Sequence, residues 1–128
     1  MSTWTTDELS RIGNAEEFGI ASRRADGTMR PFVTIWGVRA DGDIYVRSAH
    51  GSDNPWYRRA LASGEGRVRA GGVERDVRFA DADPTAQESI DEAYHAKYDR
   101  YGQRVVGSVV GDHAHGVTLR LVPKGAGA

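Results

Sequence analysis

Three two-residue turn signals, Asp26-Gly27, Asp41-Gly42 and Gly71-Gly72, punctuate this 128-residue chain, each between stretches of alternating residues. Dipeptides of this kind tolerate the positive φ of tight hairpins, so the strands they join must run antiparallel. Phe18, Ile20 and Ser22 alternate with Gly19, Ala21 and Arg23. Residues 29–38 carry β-branched and aromatic side chains on both faces, which predicts one central strand with Pro31 near its start or at an edge. Ile44, Val46 and Ser48 share one face of the strand that returns from Asp41-Gly42. Strands near 67–70 and 73–79 flank Gly71-Gly72, and 117–122 alternates as a last strand.

Helices separate these runs. Thr5 is placed to cap the first, Glu8 to complete a capping box and Trp4 to pack on Leu9, with Gly13 predicted to end it in a left-handed conformation. Pro55 opens a short helix over 56–62, and beyond Pro84 the residues Ile90, Tyr94, Tyr98 and Tyr101 recur at helical spacing. The order helix, three strands, helix, two strands, helix, strand predicts a mainly β, α+β fold. Six antiparallel strands would form a small barrel, since closure removes exposed edges, with a sandwich as the alternative. A single domain is expected over residues 1–124, with a frayed tail at 125–128.

Composition narrows the class. Without cysteine, disulfides, thiolate catalysis and zinc-thiolate sites are excluded. A formal net charge of −1 argues against general nucleic-acid affinity. No apolar run approaches the roughly 18 residues that span a bilayer, and the polar N-terminus has no signal-peptide pattern, so a cytoplasmic protein without a membrane partner is expected. Fifteen of the seventeen basic residues are arginine. A GC-rich genome produces that bias, but arginine is also the side chain suited to bidentate phosphate capture, so position must decide.

The densest candidate site is Arg47 to Arg59. A strand ending at Ser48-Ala49-His50-Gly51 and followed by a helix start presents backbone N–H groups suited to an anion. Arg30 and Arg47 fall on neighbouring predicted strands, and Trp36 or Trp56 can wall a planar ring. The plainer reading makes Asp53-Asn54-Pro55 a cap, Trp56 core, and Arg58 and Arg59 a solvated face. Asp112-His113-Ala114-His115 has no third ligand at recognisable spacing; an exposed loop is expected there and no metal site. Tyr94, Tyr98 and Tyr101 form a stripe suited to core or a dimer interface. Neither a nucleophile elbow nor a carboxylate pair is present.

Arg30-Pro31-Phe32-Val33, Asp41 to Val46, Ser48-Ala49-His50-Gly51 and Asn54-Pro55-Trp56-Tyr57 resemble, in order and spacing, the deazaflavin-dependent nitroreductase family. That family belongs with the pyridoxamine-phosphate-oxidase-like proteins among the flavin-binding split β-barrels. The likeness covers about residues 17–101 and is distinctive over 30–61. The whole chain is more similar still to an uncharacterised bacterial family of small split-barrel proteins. The resemblance implies deazaflavin or FMN as cofactor, hydride exchange with a small organic substrate, and a homodimer. It implies cofactor contacts at Arg30, Trp36, Arg47, Ser48, His50, Gly51, Asn54 and Trp56, with Val33 and Thr34 beneath the ring. Tyr98 and Tyr94 are implied as proton donors to the substrate. One departure stands out: the family usually has lysine in a Ser-x-Gly-Gly turn, where this chain has His50 and one glycine. A neutral imidazole holds phosphate less well than an ammonium group, which moves phosphate capture to Arg47 or Arg59, or abolishes it. The alternative is a split barrel without redox chemistry, either a ligand-binding or carrier protein or a non-redox biosynthetic enzyme.

Overall fold

The computed structural model describes residues 4–49 and 51–124; the expectations for His50 and for a tail at 125–128 lie outside the described residues. Helix α1 (Thr6–Asn14) starts as its sequence dictates: Glu8 N donates to Thr5 Oγ1 at 3.0 Å and Thr5 N donates to Glu8 Oε1 at 2.9 Å. Such a box contributes about 1 kcal/mol. Trp4 and Leu9 are both buried beside it. Gly13 does not end the helix, which runs on to Asn14 and caps at extended Ala15. The glycine serves packing instead, since a Cβ there would lie 3.0 Å from Arg39 Cβ.

Seven strands form one antiparallel sheet: β1 (Phe18–Ser22), β2 (Val33–Ile35), β3 (Gly37–Ala40), β4 (Asp43–Arg47), β5 (Glu65–Ala70), β6 (Val73–Asp81) and β7 (Thr118–Pro123). Their order is β2-β1-β5-β6-β7-β4-β3. Register pairs Ile20 with Val33 and Val68, and Leu121 with Phe79 and Ile44. The three signalled turns carry positive φ at Gly27, Asp41, Gly71 and Gly72. Helices α2 (Pro55–Ser63), α3 (Gln87–Tyr98), α4 (Gln103–Val106) and α5 (Asp112–His115) fill the connections.

The expected count of six strands is corrected at one residue. The run predicted as a single central strand breaks at Trp36, and its halves, β2 and β3, take the two opposite ends of the sheet. A strand hydrophobic on both faces fits either a sheet centre or a corner that carries the chain from one edge to the other, and periodicity does not separate the two. The corner nearly closes the sheet into a barrel, which sets the sandwich aside. Gly37 makes the bend feasible: an added Cβ would lie 2.2 Å from Phe18 Cε2, and Phe18 is fully buried.

Two cores result. Phe18, Ile20, Ile44, Val46, Val68 and Leu121 fill the barrel and are closed by Leu9 and Ile12 of α1 and Trp56 of α2. Outside it, Val38 and Tyr45 pack under Ile90, Tyr94 and Tyr98 of α3, with Val106 and Val109. Strand β4 serves both, with Ile44 and Val46 facing in and Tyr45 out. Among the described residues, no helix is long and apolar enough to cross a membrane.

Candidate functional site

A cleft of about 520 Å³ opens beside the Trp36 corner. One wall is β2 and the corner, with Val33, Thr34 and Trp36; another is the start of α2, with Asn54 and Trp56; the third is the 104–109 segment, with Arg104, Val105, Ser108 and Val109. Trp36 is held firmly, its indole stacked on Tyr98 at 4.0 Å and 9°. Tyr98 is itself pinned: Gly37 N donates to its hydroxyl at 3.2 Å, and the hydroxyl donates to Glu16 O at 2.6 Å. Asn54 caps α2 without a side-chain hydrogen bond, which leaves its amide available to the cleft.

The cleft therefore gathers Val33, Thr34, Trp36, Asn54 and Trp56 of the expected contacts. Arg47 also borders it, but its chemistry is committed elsewhere. Its Nε donates to Thr118 Oγ1 at 2.9 Å. Nη1 serves Asp91 Oδ1 and, at 2.7 Å, Val109 O. Nη2 serves Gln87 Oε1 at 2.8 Å and Gln87 O at 3.3 Å. A guanidinium has five N–H donors, and here five acceptors take them. The side chain is 0% exposed. In this arrangement no donor of Arg47 is left over for the phosphate it is expected to grip.

Asp91 is the counter-charge. Burial alone would raise its carboxyl, but hydrogen bonds from His115 and Arg47 outweigh that and hold it below the ordinary carboxylate value. His115 Nε2 lies 3.0 Å from Asp91 Oδ2. The Asp112–His115 run is therefore a short helix rather than a loop, with His115 turned to Asp91 and His113 exposed. Among the described residues, no cluster of three or more histidines and carboxylates is arranged to hold a metal.

The remaining expected residues lie elsewhere. Arg30 and Arg59 share a second concavity of about 470 Å³ with Arg23 and Arg24. Among the described residues neither guanidinium has a hydrogen-bond or ion-pair partner, whereas the Arg23 side chain bonds Gly27 O and pairs with Glu65, and that of Arg24 bonds Met29 O. Ser48 is buried and its hydroxyl donates to Gly51 O. Tyr94 and Tyr98 are fully buried, with Tyr94 Oη donating to Trp36 O at 3.3 Å. Burial pushes both phenols above their ordinary value. Neither hydroxyl lines the cleft, and the proton-donor role expected for them does not fit this placement.

Sequence reasoning missed Arg104, Val105, Ser108 and Val109, because a glycine-punctuated stretch with paired valines shows neither period. It also missed Lys97, whose Nζ donates to Gly37 O at 2.7 Å beneath the corner. Burial, assisted by Arg100 and opposed by Glu16, lowers the Lys97 ammonium to about 8 from 10.5. The unfolded chain then holds that proton more tightly, so this group favours folding increasingly as pH rises from 8 to 10.5. The stability of wild type minus that of Lys97→Met, from urea midpoints at pH 7.5 and 10, is expected to rise with pH; a flat difference would refute the assignment.

A family model described as "Uncharacterized protein conserved in bacteria (DUF2255)" matches residues 8–121. The chain belongs to this family. No curated protein matches its sequence. Among solved structures, one described as a "Putative Pyridoxamine 5'-phosphate oxidase" from Listeria innocua is similar with a TM-score of 0.60 at 15% identity, over 91% of this chain and 90% of its own. A FAD-binding protein from Mesorhizobium loti is similar with a TM-score of 0.52 at 17% identity, over 95% of this chain and 91% of its own. The protein Atu2129 of unknown function from Agrobacterium tumefaciens gives a TM-score of 0.64 at 13% identity, over 95% of this chain and 56% of its own. At such identities the likeness establishes the split-barrel fold of this DUF2255 member and leaves its chemistry to the residues of the cleft.

Proposed function

We propose that this protein binds FMN or a deazaflavin in the cleft at the Trp36 corner and works as an oxidoreductase on a small organic substrate. The observation that carries the reading is the cleft: largely apolar, walled by Val33, Trp36 and Trp56, with one indole clamped flat against Tyr98. Such a wall suits a planar heterocycle, because offset stacking rewards a rigid aromatic face. The guanidinium groups of Arg30 and Arg59, unpartnered among the described residues, offer a phosphate the free donors that Arg47 lacks, although they line the second concavity and not the cleft itself. When bound, the ring would supply the hydride chemistry, and the protein its orientation and electrostatics. Trp36 and Trp56 would orient the ring, Val33, Val105 and Val109 would exclude water, and Asn54 would offer an amide to a polar edge. A cytoplasmic location belongs to the same proposal, as does a homodimer, the latter supported by the exposure of Val105 (46%) at the cleft and of Tyr101 (43%), whose ring lies 5.4 Å from that of Trp36.

One observation favours the second reading, a ligand-binding or carrier protein without redox chemistry: neither tyrosine hydroxyl reaches the cleft, so no tyrosine is in place to donate a proton there. Titration separates the two. FMN or a deazaflavin at a hundredfold excess over Kd should stabilise the fold by about 2.7 kcal/mol, or roughly 10 °C in Tm for a domain of this size. No shift with either compound, in protein free of bound pigment, would transfer the proposal to the second reading.

A further inference from the structure

The cleft is lined by few charged groups, and one of them is informative. Among the described residues, no carboxylate lines it. Its two cations are Arg47, whose donors are all taken, and Arg104, which has no hydrogen-bond or ion-pair partner among the described residues. Arg104 stands exposed on α4, with the apolar Val105 and Val109 on the same segment. The start of α2 borders the cleft through Asn54 and Trp56, and a helix start carries partial positive charge.

We infer that Arg104 recognises the carboxylate of a small, largely apolar substrate, so that the cleft selects monoanionic aromatic or branched carboxylic acids over their neutral counterparts. A guanidinium fork matches a carboxylate through two parallel hydrogen bonds, while Val105 and Val109 on the same segment offer apolar contact to the rest of the molecule. A single free cation balances a monoanion. A phosphate dianion is better matched by the two guanidinium groups of Arg30 and Arg59 in the second concavity, unpartnered among the described residues. The inference rests on the cleft being a ligand site, but not on which cofactor it holds.

The test uses the full chain, labelled with ¹⁵N, titrated with 2-naphthoate and separately with 2-naphthamide. The indole N–H signals of Trp36 and Trp56 report the cleft, and Trp4, whose Nε1 donates to Leu121 O at 3.1 Å, is the internal reference. Naphthoate should move the Trp36 and Trp56 signals and leave Trp4 in place, and it should bind about tenfold more tightly than naphthamide. Arg104→Gln should abolish that preference by weakening the acid alone, and Arg104→Lys should retain part of it. Equal affinities for acid and amide in wild type, an acid preference that survives in Arg104→Gln, or an absence of Trp36 and Trp56 shifts would each overturn the inference. An Arg104-dependent response to naphthoate in a protein that ignores flavins would leave this assignment standing and remove the redox reading.

Discussion

Replacing Arg47 with alanine is expected to lower the unfolding free energy by about 3–5 kcal/mol, the usual cost of stripping one partner from a buried ion pair. The change leaves Asp91 without its cation and Gln87, Val109 and Thr118 with unmet acceptors. It also frees the 104–116 segment from β4, because Val109 and Asp91 are its anchors there. Denaturant midpoints on the variant read the loss directly. Stability unchanged, with FMN affinity reduced instead, would return Arg47 to the phosphate role that the resemblance implies. A pH profile adds a second reading. Asp91 has a carboxyl held below its ordinary value, so its contribution is present above that ordinary value and lost as pH falls through the folded one. The acid limb of wild-type stability should therefore flatten in Asp91→Asn.

The second large effect is expected at Gly37. Alanine there places a methyl group 2.2 Å from the Phe18 ring, which is fully buried in the barrel core. Overpacking of this kind costs about 2–3 kcal/mol. The damage should reach the cleft as well, since Gly37 N and O hold Tyr98 and Lys97, and Tyr98 backs Trp36. Gly42→Ala is the control, because a Cβ at Gly42 meets nothing within 4 Å. Equal midpoints for the two variants would show that the corner has slack.

Much of the fold was legible in the sequence. The hairpin turns, the capping box, the α2 start at Pro55 and the Ile90-Tyr94-Tyr98 stripe are local signals, set by backbone preference and periodicity within a few residues. The corner at Trp36 was not, because it depends on Phe18 meeting Gly37 across the barrel. The site divides similarly. Val33, Thr34, Trp36, Asn54 and Trp56, singled out by a local motif, come together at one cleft. The saturation of Arg47 was not legible, because its partners, Gln87, Asp91, Val109 and Thr118, lie 40–71 positions away in sequence. A free and a saturated arginine are spelled the same way. The tyrosine hydroxyls pose the same problem, with Tyr98 bonded to a backbone oxygen 82 positions away.

Strand β7 lies between β6 and β4, and without it the sheet falls into two pieces, β2-β1-β5-β6 and β4-β3. Its pairing with β4 joins Ile44 to Leu121, so the ribosome must deliver residues up to about 123 beyond its exit tunnel before the barrel can zip shut. Nascent chains shorter than that carry two unpaired edges and an open core, the condition in which chaperones engage and misassembly competes. For this architecture, the arrival of residues 118–123 is the event that turns two separate sheet fragments into one.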